Sequence, residues 1–125
     1  MDKRFLIVLR HAPYGRIDAA EAVRHLNGAK ANGFQATLLL LEDGVYLAKA
    51  GQIAAPGWTD LAAALEQTLG SRFDPDRELP AEVYAHESAM HARGLTVDDL
   101  VPGCVLADDA TAAGLLAAAD ATLIY

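Results

Sequence analysis

The hydrophobic residues of this chain fall into short uninterrupted runs separated by longer amphipathic stretches. The first two runs are "FLIVL" at residues 5–9 and "ATLLLL" at residues 36–41. Runs of this length are typical of strands that are covered on both faces of a sheet. Shorter runs of the same character follow. The pattern predicts five strands, at residues 5–9, 36–41, 83–85, 104–106 and 122–125.

Apolar residues at helical spacing fill the stretches between these runs. In the first stretch, Asp18 is predicted to cap a helix, and Asn32 with Gly33 is predicted to end it. The polar, proline-bearing segment 71–82 is predicted to be a turn. The other predicted elements are a short helix at 45–50, a helix at 58–70, a helix capped by Ser88 that ends at Gly94, a capped turn at 96–100 and a helix at 109–119.

Strands and helices therefore alternate along the whole chain. Alternation of this kind implies right-handed crossovers between parallel strands. We expect an α/β protein in which helices cover both faces of a mostly parallel five-stranded sheet. The length of 125 residues is that of a single domain, residues 1–125.

Composition narrows the possible partners. With 53% hydrophobic and 22% charged residues the chain is of ordinary globular type, and its net charge of -7 argues against nucleic acid as a direct ligand. The first apolar run is too short for a signal peptide or a membrane span. A single cysteine cannot form an internal disulfide. These features predict a cytoplasmic protein that does not associate with membranes.

Polar residues follow the predicted strands at their carboxyl ends, which lie at one edge of a parallel sheet. We call this edge the crest. Each residue there has an ordinary role in a turn or a cap, and their convergence is what predicts a site. The candidate site residues are His11, Tyr14, Asp43, Tyr46, His86, Glu87 and Ser88, and Gly15, Glu42 and Asp108 lie in the same loops.

The stretch "HESAMH" at residues 86–91 resembles a zinc-protease motif with the wrong spacing. Its histidines are five residues apart, so a helix separates them by roughly 140° and they cannot share an ion. Ser88 lacks the G-x-S-x-G context of a hydrolase nucleophile. The first loop has no glycine-rich phosphate-binding motif. No metal and no cofactor are therefore predicted.

Cys104 is the remaining candidate nucleophile. It follows Pro102 and Gly103 at the beginning of a predicted strand, the end away from the crest. A thiol in that position is usually a small buried hydrophobe. We therefore expect Cys104 to be inaccessible.

Several segments in order resemble the DsrE/DsrF-like sulfur-relay family. They are "PYG" in the first loop, "LLLLEDGVYLA" at the second strand, "ARGLTVDDLVPG" after the third and "AADATLIY" at the end. The resemblance covers nearly the whole chain. It implies a flavodoxin-like three-layer fold, oligomers of small subunits and, in the active members, a cysteine that carries persulfide sulfur.

The chain departs from the active members at that cysteine. In those members it lies just before the A-R-G element, where residues 86–90 here contain none. The chain is thus similar to the DsrF or TusC type, which the resemblance implies to be a non-carrier subunit of sulfur oxidation or tRNA thiolation assemblies. Alternatives are a sulfurtransferase using Cys104, an acid/base catalyst using His86, Glu87 and His11, and a ligand-sensing module.

Association is expected on two grounds. A small domain with 53% hydrophobic residues cannot easily bury all of them in one core. Ile53 and Trp58 lie in the weakly periodic segment 50–58, and aromatic anchors are common at interface centres. The family resemblance adds trimers, hexamers or assemblies with related DsrE-type subunits. We expect a homo-oligomer, a trimer or a multiple of it.

Overall fold

The sheet has five strands, all of them parallel, in the order β4-β3-β2-β1-β5. The computed structural model describes residues 3–57, 59–70 and 82–125. The five strands within these ranges confirm the predicted set, and the sheet is wholly rather than mostly parallel. Their bounds are Arg4–Leu9 for β1, Gln35–Leu40 for β2, Val83–His86 for β3, Val105–Ala107 for β4 and Ala121–Ile124 for β5.

Helices occupy the connections as predicted, with differences in type and position. The short helix expected at residues 45–50 is a 3₁₀ helix that begins three residues earlier. The predicted turn at 71–82 lies outside the described residues except for Glu82, and so does Trp58. The helices are α1 (Asp18–Ala31), α2 (Leu61–Gly70), α3 (Glu87–Ala92) and α4 (Asp109–Ala118), with 3₁₀ helices at Glu42–Ala48 and Val97–Asp99.

Two of the predicted caps are wrong. Asp18 is the first residue of α1, and its carboxylate accepts a hydrogen bond from Nε of Arg16 at 2.7 Å instead of capping the helix. Ser88 is the second residue of α3, and the cap position belongs to His86, whose side chain makes no capping bond. The capped turn is confirmed, because Thr96 and Asp99 form a reciprocal capping box.

The direction of the chain across the sheet decides which face each helix covers. From β1 to β4 each strand is added on the same side, whereas β5 returns to the other side of β1. Right-handed crossovers therefore place α4 on the face opposite the other helices. The larger core packs α1, α2 and α3 against residues such as Ile7, Leu38 and Val83. The smaller core packs α4 against Leu6, Val8, Leu39 and Tyr84.

Among the described residues, α4 is the one helix that packs against its face of the sheet. Beside it lies a hollow of about 390 Å³ between the helix and the amino-terminal halves of the strands. Its walls include Leu6, Tyr84, Val105 and Leu115. Within the described ranges, no helix combines the length and the hydrophobicity that crossing a bilayer requires.

Candidate functional site

The crest forms where the sequence predicts it. Because all strands are parallel, their carboxyl ends lie at one edge of the sheet. Asp108 follows β4, His86 ends β3, Glu42 follows β2 and His11 follows β1. The strand order fixes the sequence of these groups along the crest.

A close backbone approach positions the loop after β2. The N–H of Leu41 donates to the carbonyl of Leu9 at 2.9 Å, and the 3₁₀ helix then passes directly over the end of β1. A Cβ atom on Gly44 would lie 2.7 Å from the carbonyl carbon of Leu9. Only glycine allows this approach, and Glu42 adopts a φ of 50° to enter it.

Three arginines at the crest are each paired with a carboxylate. Nη2 of Arg10 donates to Glu42 at 3.2 Å. Nε of Arg93 donates to Asp43 at 2.9 Å, and its Nη1 donates to a backbone carbonyl of α3. Arg16 forms the bond to Asp18 described above, and this bond lowers the pKa of the Asp18 carboxyl. The candidate residue Asp43 is thus the acceptor of an ion pair.

The "HESAMH" stretch is divided between a strand and a helix. His86 ends β3, and its Nε2 lies 2.6 Å from Oδ1 of Asp109, the first residue of α4. Glu87 and Ser88 are exposed in the first turn of α3, and His91 is exposed in its last turn. In the part of the chain that the structure describes, no cluster of three or more ligand residues could hold a metal ion.

The suggested acid/base set is spread along the crest. His86 ends β3 and His11 follows β1, so β2 lies between them and they belong to strands about 10 Å apart. Nδ1 of His11 is buried and has no hydrogen-bond partner among the residues that the structure describes. Across residues 3–57, 59–70 and 82–125, no hydrogen bond joins His11, His86 and Glu87.

Tyr14 and Tyr46 are brought together, with ring centroids 6.4 Å apart. The hydroxyl of Tyr14 donates to Oε1 of Gln52. The amide nitrogen of Gln52 donates to the carbonyls of Tyr46 and Lys49, each at 2.8 Å, which fixes the orientation of this amide. Burial, followed by the neighbouring Tyr46, raises the pKa of Tyr14.

Beside this pair lies a groove of about 650 Å³, which we call the crest groove. It runs between the first loop with the start of α1 and the segment before α2. Its walls are mainly apolar, and Tyr14, Ile17 and Ile53 are 57%, 70% and 95% exposed. The described lining is Pro13, Tyr14, Gly15, Arg16, Ile17, Ala20, Gln52, Ile53, Ala54, Ala55, Thr59, Asp60, Leu61 and Ala62.

Cys104 lies just before β4, at the edge of the sheet opposite the crest. It is half-buried and packs against the larger core. Burial raises the pKa of its thiol to about 12. A thiol with this pKa is almost entirely protonated at neutral pH.

Among the described residues, three that bind the side chain of a sequence candidate were not candidates themselves. Gln52 connects Tyr14 to the backbone of Tyr46, Arg93 holds Asp43, and Asp109 holds His86. Asp109 comes next to Asp108 after a predicted strand, so the sequence pattern could have indicated that it lies at the crest. Gln52 and Arg93 reach the crest from the segment before α2 and the end of α3, and no local pattern marks them.

The curated relatives are similar over most of their length. An uncharacterized protein of Methanopyrus kandleri is 36% identical over 103 residues, covering 81% of this chain and 76% of its own. An uncharacterized protein of Methanocaldococcus jannaschii is 33% identical, covering 83% of each chain. The intracellular sulfur oxidation protein DsrF of Allochromatium vinosum is 35% identical over 99 residues, covering 79% of this chain and 68% of its own.

The fold and the family model agree with these similarities. The crystal structure of the ychN protein from E. coli superposes with a TM-score of 0.79 and 22% identity over 100% of both chains. This likeness supports the flavodoxin-like α/β fold. The model of the DsrE/DsrF-like family matches residues 3–125. The chain therefore belongs to the DsrE/DsrF-like family.

Proposed function

We propose that this chain is a subunit of a sulfur-relay assembly that does not itself carry sulfur. Its similarity to a DsrF protein of sulfur oxidation supports the relay. The observation that carries the non-carrier role is the lack of a thiol at residues 86–90, the segment in which the family resemblance expects the carrier cysteine.

The position of Cys104 supports the same role. A carrier thiol must ionise and must reach its partner, because the thiolate is the attacking species. Cys104 is half-buried at the edge opposite the crest, and burial raises the pKa of its thiol to about 12. Both properties disfavour the alternative of a sulfurtransferase that uses Cys104.

Sulfur loading tests the proposal directly. The protein is incubated with inorganic polysulfide, passed through a desalting column and measured by intact mass. We expect no added sulfur on the wild type. Ser88→Cys is the matched control, because residue 88 is exposed on α3 and gives the crest an accessible thiol. Addition of sulfur to the wild type and its loss in Cys104→Ser would establish the sulfurtransferase alternative.

The subunit role also requires assembly. Ile53 is 95% exposed, and exposed apolar side chains of this size favour association. We propose a homo-oligomer, a trimer or its multiple, that also accepts a cysteine-bearing DsrE-type subunit. Light scattering of the wild type and of Ile53→Ser tests the oligomer, with Val97→Ser as a control because Val97 is 57% exposed elsewhere. A monomeric wild type that does not co-elute with a DsrE-type subunit would refute the assembly.

A ligand role at the crest is compatible with the subunit role. The crest groove has a volume within the range of small-molecule sites and mainly apolar walls. We propose that it binds a small molecule. Saturable shifts of the Gln52 side-chain amide in an NMR titration are the expected result, and unchanged signals across a fragment collection would contradict it.

A further inference from the structure

The charged side chains of the crest groove differ in how many of their polar atoms are already bound by other residues of the chain. Nε of Arg16 is held by the Asp18 carboxylate at 2.7 Å, so its charge is compensated by that neighbour. Asp60 also lines the groove. Its Oδ1 accepts the N–H of Ala63 at 3.0 Å, while Oδ2 makes no hydrogen bond within the described chain. One oxygen of the Asp60 carboxylate is therefore available to accept a hydrogen bond from a ligand in the groove.

Tyr14 adds two features that attract positive charge. Its ring is largely exposed, and the face of a tyrosine ring attracts cations. Its hydroxyl proton is directed at Oε1 of Gln52, and that amide is fixed by its two bonds to backbone carbonyls. The hydroxyl can therefore offer only lone pairs to a ligand, which must supply the donor.

The apolar walls define the rest of the ligand. Ile17, Ile53 and Leu61 line the groove together with several alanines. A small ion with its full hydration shell gains nothing from such walls, whereas an apolar body does. The chain's net charge of -7 adds a long-range attraction for cations.

We propose that the crest groove binds an organic cation with an apolar body, such as an aromatic or aliphatic ammonium. The ammonium interacts with the Asp60 carboxylate and the Tyr14 ring, and the apolar body packs against Ile17 and Leu61. This inference rests on the ligand role proposed for the crest and is independent of the relay role.

Three indole probes separate charge from shape. Tryptamine carries an ammonium, indole-3-propionate carries a carboxylate, and indole carries no charge. We expect tryptamine to bind saturably with a Kd at least about ten-fold lower than that of indole-3-propionate, with indole between them. Added salt should weaken the binding of tryptamine and leave the binding of indole unchanged, because salt screens only the contact between charges.

Asp60→Asn tests the assigned carboxylate. Asparagine is an equally good helix cap, so α2 should remain intact and indole binding should not change. Tryptamine binding should weaken towards that of indole in this variant, because only the Tyr14 ring then remains to attract the ammonium. Asp109→Asn is the control for the loss of one negative charge, since Asp109 lies beyond β4, away from the groove.

Each contrary outcome would refute one part of the proposal. Equal affinity for the ammonium and the carboxylate, or tryptamine binding unaffected by Asp60→Asn, would refute the cation preference. Binding to Ile53→Ser but not to the wild type would mean that a second copy of the chain covers the groove. If none of the three probes binds, the ligand role of the groove is refuted. The proposed relay role is not affected, because polysulfide loading tests it separately.

Discussion

Gly44 lies against the carbonyl of Leu9 so closely that a methyl group on Gly44 would overlap this carbonyl. We predict that Gly44→Ala destabilises the protein by about 3 kcal/mol, because backbone at the end of β1 must move to relieve the overlap. Urea unfolding measures the loss. Gly28→Ala on α1 is the control, since its Cβ would meet open space, and it should raise stability by up to ~1 kcal/mol. Equal midpoints for the two variants would contradict the steric account.

Cys104 should make stability sensitive to alkaline pH. Its thiol pKa rises from 9.0 to about 12 on folding because of burial, so the unfolded chain ionises first. The contribution is complete below about pH 9 and is lost as the pH rises towards 12. The stability of the wild type relative to Cys104→Val should therefore fall over this range. A difference that stays constant with pH would show that burial does not shift the thiol.

Asp108 should make the stability of the protein sensitive to acid pH. Its Oδ1 accepts the N–H of Thr111 at 2.7 Å as the cap of α4, and this bond lowers the carboxyl pKa below its usual 3.8. The cap's charge-dependent contribution is present above that value and is lost as the pH falls through the folded pKa. The Tm advantage of the wild type over Asp108→Asn should disappear in acid. Asp108→Ala should remain less stable at neutral pH, and an advantage that persists in acid would exclude a charged cap.

The ion pair between Arg93 and Asp43 should contribute little to stability. The Asp43 side chain is 60% exposed, and pairs in this setting are worth no more than about 1 kcal/mol. A double-mutant cycle with Arg93→Ala and Asp43→Ala should give a coupling energy below ~1 kcal/mol that decreases with salt. A coupling well above about 2 kcal/mol would mean that this part of the crest is far less solvated than its exposure indicates.

Much of the fold could be predicted because strands that are buried on both faces of the sheet appear in the sequence as continuous apolar runs. The runs at β1 and β2 are apolar at nearly every position, since one alternating set faces α1 and the other faces α4. The caps were harder to predict. Asp18 and Ser88 are capping residue types, but a shift of one or two residues in the helix start decides whether they cap.

The crest could be predicted as a location and only partly as an arrangement. Parallel strands bring His11, Asp43 and His86 to one edge whatever their side chains do. Their partners depend on tertiary packing. Gln52 reaches Tyr14 only because the segment before α2 folds back over the first loop, and no residue pattern in "GQIAAPG" encodes that contact.

The pairing of β1 with β5 bears on how the protein is made on the ribosome. Arg4 and Asp120 are hydrogen-bonded across a separation of 116 residues. During translation β2 can pair with one edge of β1, and β3 and β4 can then extend the sheet on that side. The other edge of β1 remains without its neighbour until α4 and β5 have left the exit tunnel. An unpaired strand edge is a template for association with other chains. The nascent protein thus passes through an aggregation-prone stage whose length depends on the rate at which α4 and β5 are translated.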